Sequence, residues 1–377
     1  MTEFAYQLMD TDNQEATIKV IGIGGGGGNA VSHMITKGIK GVEFICANTD
    51  TQDLRMTKAN VQLQIGINET KGLGSGSKPE IGRASAEEDR DRIASTIDGS
   101  NMLFIAAGLG GGTGTGACPV VAEIAQEKGI LTVAVVNTPF SWEGEKRKKN
   151  AEKGIDDLER FVDSLIIIPN DKLQTLGNRT TVINGFAAAN DVLANSVQGI
   201  AELITIPGHV NLDFADVRTV MAETGRGIIG MGSSSGQDRG REAVEAAIQS
   251  PLLEDIKLEG AKGILINITA GDDLMGDELE EIGEIIKGYA SENAEIISGY
   301  VVDKSLKDSI HVTVVLTGLD QVLDTSSNGE KDFSGQFPEL DKPITSRNKD
   351  LFEDLPVEGD DQIPFLDVPS FLKRNRG

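Results

Sequence analysis

The chain has 377 residues, 39% of them hydrophobic and only 4% aromatic, and 35 basic against 59 acidic side chains leave a formal net charge of −24. That length suits two domains and a tail built on aliphatic cores, and the acidic balance counts against general nucleic-acid binding, which rewards the opposite sign. The opening MTEFAYQLMD lacks the basic and apolar regions of a secretory signal, and no run reaches the ~18 apolar residues of a membrane span.

Cys46 and Cys118 are too few and too far apart in sequence for a disulfide framework. A cytoplasmic protein with reduced, buried thiols and no direct membrane insertion is the expectation.

Residues 1–16 are polar and aperiodic and read as a disordered arm. From Ile18, IKVIGIG predicts a short buried strand, and NAVSHMITKG predicts a helix with Val31, Met34 and Ile35 on one face and a stop at Gly38. VEFICANTD, MLFIAAG and LTVAVVNTP are further strands; CPVVAEIAQEKG is a helix, with Pro119 suited to its first turn and Gly129 to its stop. Apolar strands alternating with helices imply a parallel sheet covered on both faces, which places an α/β nucleotide-binding domain over 17–181.

Residues 182–205 form the longest helix candidate, with Phe186, Val192, Leu193, Val197, Ile200, Leu203 and Ile204 at near-helical intervals and Pro207-Gly208 to end it. AKGILINITAG, EIISGYVVD and SIHVTVVLTG then read as strands among the helices REAVEAAIQS and GDELEEIGEIIKGYA. The expected architecture is a parallel-sheet domain joined by a long central helix to a smaller α/β domain with a mixed sheet over 206–318. A disordered linker over 319–362 and a C-terminal peptide over 363–377 complete it.

Two glycine runs carry the chemistry. GIGGGGGNAV contains a formal GxGxxG at Gly22, Gly24 and Gly27 between a strand and a helix, with Glu43 or Asp50 as the acidic partner that a dinucleotide site would need. GGGTGTG, at 110–116, repeats the strand–glycine–helix context and adds Thr113 and Thr115 hydroxyls. Backbone N–H groups and a helix N-terminus at each run could grip one polyphosphate from two sides, which a dinucleotide enzyme does not require. GLGSGSKPE, at 72–80, lacks the order of a P-loop and reads as a flexible surface loop, with a place near the phosphates left open as the alternative.

GGGGGNAV, NTD at 48–50, GGGTGTGACPVVAEIA, PFSWEGEKR, NGFAAANDVL and NLDFADVRTVM occur in that order. Together they resemble the tubulin/FtsZ GTPase family over about residues 18–318. The resemblance implies a GTP-binding, GTP-hydrolysing cytoskeletal protein. By position, it implies that Gly25, Gly26, Gly27, Gly28 and Asn29 line the first phosphate loop, and that Gly112, Thr113 and Gly114 hold the β- and γ-phosphates. It implies Glu143 and Arg147 as ribose and phosphate contacts, Phe186 beside the guanine and Asn190 reading its edge. Cys118 stands where alanine is common in the family, and Trp142 where other residues are more usual. The expected cofactors are GTP as substrate, Mg²⁺ on its phosphates mostly through water, and a monovalent cation left open. His33, His209 and His311 are scattered without metal-ligand spacing, so no protein metal site is expected.

Asn211, Asp213 and Asp216 follow the long helix, and two carboxylates three apart with an amide can orient a water for attack on a γ-phosphate. The same two aspartates also suit plain capping of the next helix. If Asn190 holds the base, the helix rises on the order of 22 Å from there to Thr205, too far for these residues to serve their own chain's phosphates. The family resemblance implies head-to-tail filaments in which the acidic loop of one subunit completes the site of the next, in a division ring at midcell. The tail IPFLDVPSFLKRNRG, at 363–377, resembles the family's terminal peptide, which implies membrane tethers of the FtsA or ZipA type and division regulators as partners.

Overall fold

A computed structural model describes residues 16–173, 181–205, 213–222, 225–250, 252, 261–291, 294–303 and 306–319. The expected N-terminal arm (apart from residue 16), the stop at Pro207-Gly208, Asn211, the linker beyond residue 319 and the terminal peptide lie outside these residues.

Ten strands are present among them: β1 (Ile18–Ile23), β2 (Val42–Asn48), β3 (Val61–Gln64), β4 (Met102–Gly108), β5 (Leu131–Thr138), β6 (Ser164–Pro169), β7 (Gly225–Ser235), β8 (Gly263–Ala270), β9 (Glu295–Val302) and β10 (Ser309–Leu319). The helices are α1 (Gly24–Lys37), α2 (Thr51–Met56), α3 (Ile67–Thr70), α4 (Pro79–Glu88), α5 (Arg90–Ile97), α6 (Thr113–Glu127), α7 (Glu145–Leu158), α8 (Asn170–Leu173), α9 (Val182–Thr205), α10 (Phe214–Met221), α11 (Arg239–Ile248) and α12 (Gly276–Lys287). The strands form one sheet in the order β3-β2-β1-β4-β5-β6-β7-β10-β8-β9. Seven neighbouring pairs are parallel, and β10 runs antiparallel to both β7 and β8.

The N-terminal strands are apolar at nearly every position because both faces are covered. Val20 and Phe104 point to the face packed by α1 and α9, whereas Ile21 and Ile105 point to the face packed by α5 and α6. The six-pair register between β1 and β2 sets Cys46 opposite Gly22, and burial pushes its thiol up to about 11; Cys118 inside α6 is pushed further in the same direction. Both cysteines are free and buried.

α9 is the pivot of the chain. Val192, Leu193, Val197, Ile200 and Leu203 belong to one core that also holds Val133 of β5, Leu265 of β8, Ile297 of β9 and Val315 of β10. The two halves therefore share more than a connecting helix. β6 and β7 pair through Ser164–Gly225, Leu165–Arg226 and Ile166–Gly227, so the sheet is continuous. A separate core beneath α11 and α12, including Val244, Ile282 and Val312, serves the C-terminal strands alone.

Two helix starts differ from the sequence expectation. α1 begins at Gly24 rather than after the glycine run, and α6 begins at Thr113, which leaves Pro119 inside the helix instead of in its first turn. Glycine is the weakest ordinary helix former and an interior proline deletes one hydrogen bond, so tertiary contacts impose both starts. The same contacts build the site.

Candidate functional site: a cleft between two glycine loops

β1 and β4 are neighbours, yet the chain leaves β1 toward β2 and β3 on one side and leaves β4 toward β5 and β6 on the other. Such a reversal opens a crevice at the carboxyl ends of the two strands, where ligands bind in open parallel sheets. α1 follows β1 immediately, and α6 follows β4 after four residues. Neither helix has a side-chain cap or an acidic residue in its first turn. Two sets of unpaired backbone N–H groups, each at the positive end of a helix dipole, thus meet at one crevice.

A cavity of about 540 Å³ occupies this place. Gly25, Gly26, Asn29, Gly112, Thr113, Gly114, Glu143, Arg147, Phe186 and Asn190 all line it. The structure therefore brings together ten of the fifteen residues singled out from the sequence. Gly27 and Gly28 do not line it. A Cβ on Gly27 would lie 2.3 Å from the Ala106 carbonyl oxygen, so this glycine lets α1 press onto β4; one on Gly28 would face the Thr57 methyl at 3.3 Å.

Close packing explains most of the second run as well. A Cβ on Gly112 would meet Ser75 Oγ at 2.2 Å, one on Gly114 the Gly108 carbonyl oxygen at 2.6 Å, and one on Gly116 the Pro79 carbonyl oxygen at 1.9 Å. Among the glycines of that run, Gly111 alone has open space around it. The bare backbone is required by the segment on its far side as much as by any ligand. That segment is GLGSGSKPE, expected from the sequence as a flexible surface loop. Leu73 to Ser77 instead form a wall of the cavity. They are fixed by a hydrogen bond from Gly74 N to the Thr49 carbonyl (3.2 Å) and by Ser75 Oγ at 3.0 Å from Thr113 Oγ1.

The far end of the cavity is shaped by α9 and the strand ends. Phe186, Ala189, Asn190 and Leu193 line it along one face of α9. Asn48, Asn137 and Asn170 stand at the carboxyl edge of β2, β5 and β6, and all three line the cavity. The Asn137 and Asn170 amide oxygens are buried without a protein hydrogen bond, which makes them natural acceptors for a polar ligand. Sequence reasoning missed both. Their signal was an asparagine closing an apolar strand, in VAVVN and IIIPN.

The lining charges are Asp50, Asp53, Glu143 and Arg147. Arg147 pairs with Glu143 one turn earlier on the same segment, and Glu143 Oε1 also accepts from Phe140 N at 2.9 Å. Asp50 accepts from the Gln52 and Asp53 backbone as the N-cap of α2. The Asp53 carboxylate makes no ion pair or hydrogen bond among the described residues and lies beside the first loop, its Oδ2 3.0 Å from where a Cβ on Gly25 would be. Anion binding here falls mainly to backbone N–H groups. Of the two acidic partners expected for a dinucleotide site, Asp50 is engaged in capping and Glu43 lies near the start of β2, 3.5 Å from Lys19 Nζ.

Asp213 and Asp216 are not at this cavity. Asp213 is the N-cap of α10 and its Oδ1 accepts from Asp216 N at 2.9 Å, so the capping role is real; both side chains are exposed. A second cavity of about 540 Å³ lies between α9 and the C-terminal strands, with Gln198, Glu202, Asn267 and Thr269 in its walls. It contains neither glycine loop nor helix N-terminus. Burial raises the Glu202 carboxyl above its ordinary range, against the hydrogen bond from Gln198.

The model for the Tubulin/FtsZ family, GTPase domain, matches residues 17–178, and that for the FtsZ family, C-terminal domain, matches residues 225–320. The chain belongs to the FtsZ family. It is 52% identical to the cell division protein FtsZ of Coxiella burnetii, with 98% of this chain and 99% of that protein covered, and 49% identical to that of Pseudomonas aeruginosa at the same coverage. Among solved structures it resembles an empty FtsZ dimer from M. jannaschii, at 43% identity and a TM-score of 0.79 over 81% of this chain and 89% of that one. GDP-bound CetZ1 from Haloferax volcanii, at 24% identity and a TM-score of 0.71 over 81% and 96%, shares the fold. This FtsZ-family chain is a GTPase with a tubulin-like fold, and the cavity between its glycine loops lies within the part matched to the GTPase domain and in the helix that follows it.

Proposed function

We propose that this chain is a cell-division GTPase that polymerises head to tail and hydrolyses GTP only at the contact between subunits. The observation that carries the reading is the pair of uncapped helix N-termini, α1 and α6, meeting at one cavity. The triphosphate lies across Gly25, Gly26 and Gly112–Gly114, held by backbone N–H groups. Glu143 and Arg147 flank the ribose, Phe186 stacks with the guanine, and Asn190 and Asn170 read its edge with their amides.

Mg²⁺ fits this donor set. Asp53, the one lining carboxylate without a partner among the described residues, could hold it through water, and oxygen donors with retained water suit that ion. When bound, it neutralises charge on the β- and γ-phosphates. A monovalent cation belongs to the same proposal.

Asn211, Asp213 and Asp216 of one subunit act on the next. The two carboxylates and the Asn211 amide orient a water whose oxygen attacks the γ-phosphorus; the bond from that phosphorus to the β,γ-bridging oxygen breaks, and GDP, inorganic phosphate and a proton leave. α9 supports this division of labour. Its fifteen-residue rise from Asn190 to Thr205 separates the base end from the following acidic segment by about 22 Å. A heterologous contact of this kind propagates as a filament, and the dimer formed by the M. jannaschii relative is in keeping with self-association.

The relatives' division role extends here to a cytoplasmic ring at midcell, on the inner face of the membrane. Residues 363–377 would bind membrane tethers of the FtsA or ZipA type and division regulators. No described helix is long and apolar enough to cross a membrane, and the net charge of −24 disfavours nucleic acid as a partner.

Phosphate release from GTP, measured against protein concentration with Mg²⁺ present, tests the reading. A threshold followed by linear activity is expected. Activity proportional to protein from the lowest concentration would place the whole site in one chain and remove Asp213 and Asp216 from it.

A further inference from the structure

The aromatic rings of the chain are few, and three of them meet beside the cavity. Phe140 and Trp142 stack with centroids 5.3 Å apart and planes 14° from parallel. Phe186 stands edge-on to both, 5.3 Å from Phe140 at 88° and 6.1 Å from Trp142 at 86°. Phe140 is buried and does not need the others to be held. Trp142 is 56% exposed and Phe186 is 42% exposed. Burying hydrophobic area does not account for their positions. The ring-to-ring geometry does.

The turn that carries Trp142 is fixed at both ends. Ser141 donates from its backbone N (2.9 Å) and its hydroxyl (2.5 Å) to Asp171, next to the cavity-lining Asn170. Glu143 accepts from Phe140 N. Phe186 is less constrained. It sits in the second turn of α9, after Val182 and Ile183, which are both exposed, and a Cβ on Gly185 would already lie 3.3 Å from the Phe140 ring. Two rings stand perpendicular against it.

We infer that Trp142 is a positioning residue for the base: its indole, held on Phe140, fixes the Phe186 ring in the orientation that stacks with the purine. This rests on the proposed placement of the guanine at Phe186. Edge-to-face pairs contribute about 0.5–1.5 kcal/mol, so loss of the indole should weaken nucleotide binding by about three- to ten-fold. Trp142 itself does not line the cavity, so turnover at saturating GTP should hold. Trp142 is also the one tryptophan of the chain, so its emission reports on its surroundings without labelling.

The test uses the full chain, kept below the hydrolysis threshold, with GDP titrated calorimetrically into wild type, Trp142→Ala and Trp142→Phe. The expected result is a three- to ten-fold weaker dissociation constant for Trp142→Ala and one within two-fold of wild type for Trp142→Phe, which keeps a ring on Phe140. Nucleotide-free melting points should agree among the three, and wild-type tryptophan emission should change in proportion to occupancy. KM for GTP should rise in Trp142→Ala with kcat unchanged. Equal GDP affinity for wild type and Trp142→Ala would overturn the inference while leaving the nucleotide site standing. So would a Trp142→Phe chain as weak as the alanine variant. No GDP or GTP binding by wild type would instead overturn the proposed function, and this inference with it.

Discussion

The hydroxyls of Thr49 and Thr113 lie 2.6 Å apart, both buried, and Ser75 Oγ is 3.0 Å from the same Thr113 oxygen. One hydroxyl at the start of α6 therefore ties together the segment after β2, the 72–78 wall and the second glycine loop. Thr113→Val keeps the shape but leaves two buried hydroxyls without this partner, at about 1–3 kcal/mol for each group left unsatisfied. A lower melting point and weaker GTP binding are expected, with Thr113→Ser restoring both. Calorimetric unfolding and nucleotide titration of the two variants check it.

Two glycines of the same run should respond in opposite ways to one methyl group. Gly116→Ala gains about 1 kcal/mol of helix propensity, yet its Cβ would fall 1.9 Å from the Pro79 carbonyl oxygen and force α4 away from α6. Gly111→Ala has nothing within 4 Å. Chemical denaturation should show the first destabilised by several kcal/mol and the second close to wild type. Equal stability of the two would mean that the run is bare for the ligand alone.

The contrast shows what could be read in the sequence and what could not. Periodicity located the long helix α9, and the unbroken apolar runs VEFICAN, MLFIAAG and LTVAVVNT are the buried strands β2, β4 and β5. These signals are local, so the chain carries them openly. Gly27 and Gly116 were not separable from cavity-lining glycines, because the atoms that exclude their side chains belong to Ala106 and Pro79, from other elements. β7 was missed for a related reason: GRGIIGMGSSS has too few apolar residues to read as a strand, and its pairing with β6 and β10 supplies what its own pattern lacks. Asn137 and Asn170 acquire meaning only once β5 and β6 are known to end at the same cavity.

The C-terminal half should depend on acid through Arg239, whose side chain is 5% exposed. Its guanidinium donates to Glu278 Oε1 at 2.8 Å and to Asp273 Oδ2 at 2.7 Å. These bonds hold both carboxyls below their ordinary values and raise the guanidinium. A depressed folded-state value means that the stabilisation is fully present above the ordinary carboxylate range, about pH 4. It is lost as pH falls through the lower folded values. Arg239→Met should lower stability at neutral pH and flatten this acid limb. Urea midpoints for both chains between pH 2.5 and 6 test the sign; a wild-type midpoint independent of pH there would contradict it.

Asp213 offers a way to separate capping from chemistry. Its side chain accepts from Asp216 N, and losing an N-cap costs about 1 kcal/mol. Asparagine caps as well as aspartate but cannot act as a carboxylate. Asp213→Asn should therefore keep wild-type stability and GTP affinity while hydrolysis above the assembly threshold falls at least ten-fold, whereas Asp213→Ala should lose both the cap and hydrolysis. The decisive comparison is a mixture. If the acidic segment serves the neighbouring subunit, as proposed, adding Asp213→Asn subunits to wild type should lower phosphate release in step with the fraction of subunit contacts that carry the variant. If Asp213→Asn hydrolyses GTP like wild type while Asp213→Ala does not, the residue acts through the start of α10, and another group orients the water.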